Sequence, residues 1–107
     1  MLMVFSPSCD HCQHETEDMV KNIEKFKKVT IVMATMFSYQ DILDFRSRYG
    51  LAQYKNIIMG KDIEYFLPPF FDIKNLPFLA FYNKKGDLIS VFSGSLPIDK
   101  VLEELEK

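Results

Sequence analysis

The chain has no tryptophan, only four glycines and only two cysteines among its 107 residues. Two cysteines cannot build a disulfide-rich scaffold, nor can they alone complete an all-cysteine zinc site. Neither sign of charge is in surplus. Thirteen Lys+Arg face 15 Asp+Glu, a net charge of −2, which gives no electrostatic reason to expect a nucleic-acid partner. No apolar run approaches the roughly 18 residues of a membrane span, and no repeat or low-complexity segment interrupts the chain. The length leaves room for one core, so a single α/β domain over residues 1–107 is expected. Met1-Leu2-Met3-Val4-Phe5 lacks a basic flank and runs into Ser6-Pro7, so it does not read as a signal peptide. First residues are usually polar and frayed, so an apolar strand at residue 1 predicts a domain excised from a longer precursor.

What is present is a strong alternation of periods. Residues 1–5 are a short apolar run, the pattern of a strand buried on both faces. From about Asp10 to Lys28 the period becomes helical, with Cys12, Thr16, Met19, Val20, Ile23 and Phe26 on one face. Ser8 is the expected N-cap, and early acids with late lysines match the helix dipole. Val29–Met36 reads as a second buried strand. A helix from about Tyr39 to Tyr49 follows, opened by Ser38 and closed by Gly50, with Ile42, Leu43 and Phe45 inward. Asn56–Met59 fits a short strand ended by Gly60. Residues 61–71 suggest a helical turn around Ile63 and Phe66, broken by Pro68-Pro69. Phe78–Tyr82 and Leu88–Phe92 form a hairpin across Asn83–Asp87, and Pro97 opens a last helix carrying Ile98, Val101, Leu102 and Leu105. Strands alternating with helices predict a layered sheet, partly parallel and finished by an antiparallel hairpin.

The two cysteines are Cys9 and Cys12, spaced C-x-x-C at the first strand-to-helix junction. A helix N-terminus offers unpaired N–H groups and partial positive charge, which favour a thiolate on the first cysteine. The second sulfur, one turn on, is in reach to attack a mixed disulfide. His11 between them would stabilise the Cys9 thiolate further and raise the reduction potential of the pair. Three readings compete with this one. The cysteines could be buried core residues or an inert disulfide. They could instead hold zinc with His11 and His14, although four such ligands inside six residues depart from the usual finger spacing. His14 by itself reads as a solvated helix residue.

The run Val4-Phe5-Ser6-Pro7-Ser8-Cys9-Asp10-His11-Cys12 resembles the strand, active-site loop and helix start of the thioredoxin superfamily. Leu76-Pro77 before the hairpin resembles the family's cis-proline segment, and Gly94 precedes the closing helix in the family's order. Nearly the whole chain takes part. Within the superfamily, Cys9–Glu15 looks most like the TlpA/ResA branch of extracytoplasmic thiol-disulfide oxidoreductases, which commonly carries Glu three residues after its second cysteine. The resemblance implies a thioredoxin-like fold, a central mixed sheet flanked by helices. It implies Cys9 as attacking and Cys12 as resolving thiol, Glu15 as a proton relay, and a cis Leu76–Pro77 bond that positions an extended partner chain. It further implies no organic cofactor, protein thiols or disulfides as partners, a membrane-bound redox partner, a monomer, and a periplasmic or cell-envelope location. The alternative is a metal-binding or metal-delivery module on the same fold, using the cysteine pair and a histidine.

Several positions depart from the family pattern. Ser8 stands where Trp is usual, His11 where Pro is common, and Phe78 where Thr is frequent. Thr16 and Glu17 occupy the stretch of a frequent kinking Pro. Met3 stands where many members place a buried Asp. Read as dipole complement alone, Glu15 would sit on the helix surface. Tyr65, Phe66, Phe70 and Phe71 read first as core and its lid, and second as the wall of a substrate groove around Pro68-Pro69.

Overall fold

The structure, a computed structural model, describes residues 1–107. Five strands form one sheet in the order β3-β2-β1-β4-β5, where β1 is Leu2–Val4, β2 Ile31–Thr35, β3 Ile57–Lys61, β4 Phe78–Tyr82 and β5 Leu88–Ser93. β1, β2 and β3 are parallel, while β4 and β5 run antiparallel to their neighbours. Helices α1 (Asp10–Lys21), α2 (Tyr39–Arg48), α3 (Leu67–Phe71) and α4 (Ile98–Leu105) flank the sheet. The fold class expected from the period changes is the one observed.

The register sorts the strand residues into two faces. Met59, Met33, Met3, Leu79 and Phe92 align across all five strands and belong to the main core with Cys12 and Met19 of α1, Phe45 of α2 and Val101 of α4. On the other face Val4, Phe78 and Ala80 lie under Leu67 and Phe71, so α3 covers that face at one end. Beyond α3, Ile58, Val32 and Val91 are exposed, in register with Leu2 and Ala80. β2 is therefore not apolar-packed on both sides, because alternation along a strand sends Val32 to this open face.

Local chemistry sets several boundaries away from the expected ones. α1 stops at Lys21 rather than Lys28: Asn22 leaves the helical region at φ −114°, its side-chain amide donates to the Asp18 carbonyl, and a 3-10 turn at Ile23–Phe26 follows. The N-cap of α1 is Cys9, not Ser8, whose hydroxyl instead lies 3.3 Å from that of Ser6. Ser38 caps α2 by accepting from the Asp41 N–H at 3.1 Å, and Gly50 turns the chain out at φ +63°. Leu43 faces solvent, while Ile42 and Phe45 face inward. β3 continues through Gly60. Pro68 and Pro69 begin α3 instead of breaking it, since the first turn of a helix needs no intrahelical N–H.

Candidate active site

β1 and β4 pair with Val4 opposite Phe78. The segment leaving β1 therefore emerges beside the segment entering β4, and this alone brings Cys9 next to Leu76-Pro77. The loop between β1 and α1 is tied to β2 and to itself. The Phe5 N–H donates to the Ala34 carbonyl, the Cys9 N–H to the Ser6 carbonyl at 3.1 Å, and the Gln13 side-chain amide to the Pro7 carbonyl at 2.9 Å. Cys9 itself is extended (φ −83°, ψ 122°), and its carbonyl accepts the first helical bond, from the Gln13 N–H.

The two sulfurs differ sharply in environment. Both are free thiols, with Cys9 half-buried and Cys12 fully buried in the main core. Burial pushes the Cys12 thiol up to about 12, opposed by a hydrogen bond with the Ser6 backbone, while the neighbouring Cys9 and Glu15 add to the rise. The Cys9 Sγ instead points to the Leu76 carbonyl oxygen at 3.8 Å. The Leu76–Pro77 peptide is cis. The Pro77 carbonyl accepts from the Gly94 N–H at 2.8 Å, whereas no backbone group of the chain pairs with the N–H or carbonyl of Leu76.

Glu15 is buried, at 2 % exposure, and so is not a surface acid serving the helix dipole. Its Oε1 accepts from the Leu96 N–H at 2.7 Å. Burial holds its carboxyl above the usual carboxylate range, opposed by the Leu96 hydrogen bond and reinforced by Asp18. Thr16, also buried, donates its hydroxyl to the Cys12 carbonyl at 2.8 Å. His11 is exposed, its ring engages in no hydrogen bond, and its carbonyl accepts from the Ser95 hydroxyl at 3.3 Å. His14 is exposed as well, and nowhere do three His, Cys, Asp or Glu side chains converge as a metal site.

Cys9, Cys12, Glu15, Leu76 and Pro77 thus share one neighbourhood, while the His11 ring stands apart from its hydrogen bonds. Ser95 and Leu96 are additions that residue patterns do not single out. Leu96 acts through its amide, which no side-chain motif encodes; the one available signal is Gly94, left-handed at φ +87°, which turns the chain toward α1. Three of the four aromatics are not core either. Tyr65, Phe66 and Phe70 are 57–62 % exposed, and only Phe71 packs inward.

No protein-family model matches the chain, and no curated protein matches it in sequence. Solved structures do match. The dsbF protein of MTB superposes with a TM-score of 0.80 at 20% identity, covering 98% of this chain and 76% of that one. A secreted Mycobacterium tuberculosis disulfide oxidoreductase homologous to E. coli DsbE gives 0.78 at 17%, covering 98% and 78%. The exposed lipoprotein thioredoxin of Streptococcus pneumoniae gives 0.70 at 22%, covering 98% and 81%. The chain thus has the thioredoxin-like fold that these structures share.

Proposed function

We propose that the protein is a thiol-disulfide oxidoreductase that exchanges a disulfide with other proteins through Cys9 and Cys12. The observation that carries this reading is the asymmetry of the pair. A reachable sulfur stands at a helix N-terminus beside unpaired backbone, and a buried sulfur of raised pKa stands one turn behind it. In the reducing direction the Cys9 thiolate attacks one sulfur of a partner disulfide. An S–S bond forms to Cys9, and the partner's other sulfur leaves as a thiolate that takes up a proton. Cys12 then loses its proton and attacks the Cys9 sulfur, releasing the second partner thiol. Two electrons pass from the pair to the partner, and the Cys9–Cys12 disulfide remains. In the oxidising direction every step reverses.

The second step needs the Cys12 proton removed at a site where its loss is costly. Glu15 is the nearby carboxylate, and its own raised pKa narrows the mismatch with the thiol. We assign it the relay of that proton. The N–H and carbonyl of Leu76, which no other backbone group of the chain engages, would pair with an extended partner segment as an added strand. The cysteine pair carries the electrons, so this chemistry calls for no organic cofactor. Fold relatives described as secreted and as an exposed lipoprotein support a place outside the cytoplasm. There a membrane-bound redox partner would reset the pair.

Trapping tests the assignment. In Cys12→Ser the second step is blocked, so a disulfide peptide should accumulate as a mixed disulfide on Cys9, whereas Cys9→Ser should trap none. In the reduced wild-type protein at pH 8, iodoacetamide should modify Cys9 first and reach Cys12 only after unfolding, as read by mass spectrometry. Trapping on neither variant, or modification of Cys12 ahead of Cys9, would overturn the reading.

A further inference from the structure

Between β3 and β4 the chain displays more aromatic surface than any packing need explains. Tyr65, Phe66 and Phe70 are 61, 57 and 62 % exposed. Phe66 and Phe70 stack at 5.0 Å, Phe70 meets Phe71 edge-on at 4.8 Å, and Phe71 contacts Phe78 at 5.1 Å. The backbone beneath is fixed. The Asp62 carboxylate accepts from the Phe66 N–H at 2.9 Å and from the Leu67 N–H at 2.8 Å. Tyr65 and Asp72, left-handed at φ +54° and +53°, bracket the turn, and Pro68 and Pro69 stiffen its first helical residues.

Large exposed aromatic surface on a rigid support marks an interaction site. Its continuity identifies the occupant. The row of rings ends at Phe78, next to Pro77, and Leu76 places its carbonyl 3.8 Å from the Cys9 Sγ. Ser8, the residue before Cys9, offers no apolar wall. A partner chain paired with Leu76 and bonded to Cys9 would find its apolar contact on α3. Resting on the oxidoreductase reading, we propose that Phe66 and Phe70 are the docking surface for protein substrates whose cysteine is flanked by aromatic or aliphatic residues, such as an incompletely folded chain.

The test compares two disulfide peptides, one flanked by Leu and Phe and one by Ser, with glutathione disulfide as a small substrate. The wild-type protein should prefer the apolar peptide by about tenfold in kcat/KM, the scale of burying one large apolar side chain. The Phe66→Ser/Phe70→Ser variant should lose that preference and keep its rate on glutathione disulfide. Both rings are exposed, so the variant should keep its unfolding midpoint. Tyr82→Ser, at the far end of β4, is the control and should keep the preference. Equal rates on both peptides in the wild type, or a preference surviving in the double variant, would overturn the docking surface alone. So would concentration-dependent self-association that the double variant abolishes while leaving peptide preference intact. Failure of the wild type to exchange with glutathione disulfide or either peptide would instead overturn the oxidoreductase reading.

Discussion

A carboxylate with almost no exposure is the most consequential single residue outside the cysteines. Glu15 is retained beside Cys12 although burial raises its pKa, and one backbone N–H, that of Leu96, supports its charge. The raised pKa means that the folded state binds a proton that the unfolded chain has released. Stability therefore falls as pH rises from the ordinary carboxylate value through the folded one. Glu15→Gln keeps an acceptor for Leu96 and removes the ionisation. In urea unfolding from pH 4 to 8, the variant should match the wild-type protein at the acid end and exceed it increasingly toward neutrality. Its resolving step, followed as decay of the mixed disulfide, should slow. Glu15→Ala, which leaves the Leu96 N–H without a partner, should cost about 1–3 kcal/mol. An offset between wild type and Glu15→Gln that is constant with pH would show that Glu15 does not carry the titration.

At the scale of elements, the short α2 depends on its ends. Ser38 supplies the side-chain acceptor for the Asp41 N–H, so Ser38→Ala should cost about 1 kcal/mol. In a domain of this size that lowers the melting temperature by about 4–8 °C, measurable by circular dichroism; an unchanged midpoint would show the cap to be idle. Ser38 and Gly50 are legible in the sequence because caps and left-handed glycines carry residue-type signatures. So are the order of strands and helices, which periodicity encodes, and the position of Cys9 and Cys12 at a helix start. The end of α1 is not legible, because the apolar spacing of Ile23 and Phe26 continues through a 3-10 turn. α3 escapes the sequence because its left-handed Tyr65 and Asp72 are not glycines and its turn depends on Asp62, a contact that composition does not reveal. Glu15 divides two readings that only burial separates.

Over the whole molecule, the two faces of the sheet are unequal. Three helices cover one face, and α3 covers the other only where β1 and β4 lead into the site. Two valines on that second face isolate what α3 contributes. Val4 is 1 % exposed beneath it, whereas Val32, on the same face of the adjacent strand, is 37 % exposed. Deleting the same two methyl groups should cost about 2 kcal/mol at Val4 and less than about 1 kcal/mol at Val32. Val4 also immediately precedes the segment that carries Cys9 and pairs with Phe78, whose ring touches Phe71. Val4→Ala should therefore loosen α3 and the site together, raising hydrogen exchange at both Phe70 and Cys9, while Val32→Ala leaves both protected. Equal costs for the two substitutions would mean that α3 adds no packing. A loss at Val4 without faster exchange at Cys9 would mean that the α3 packing and the cysteine loop are independent units.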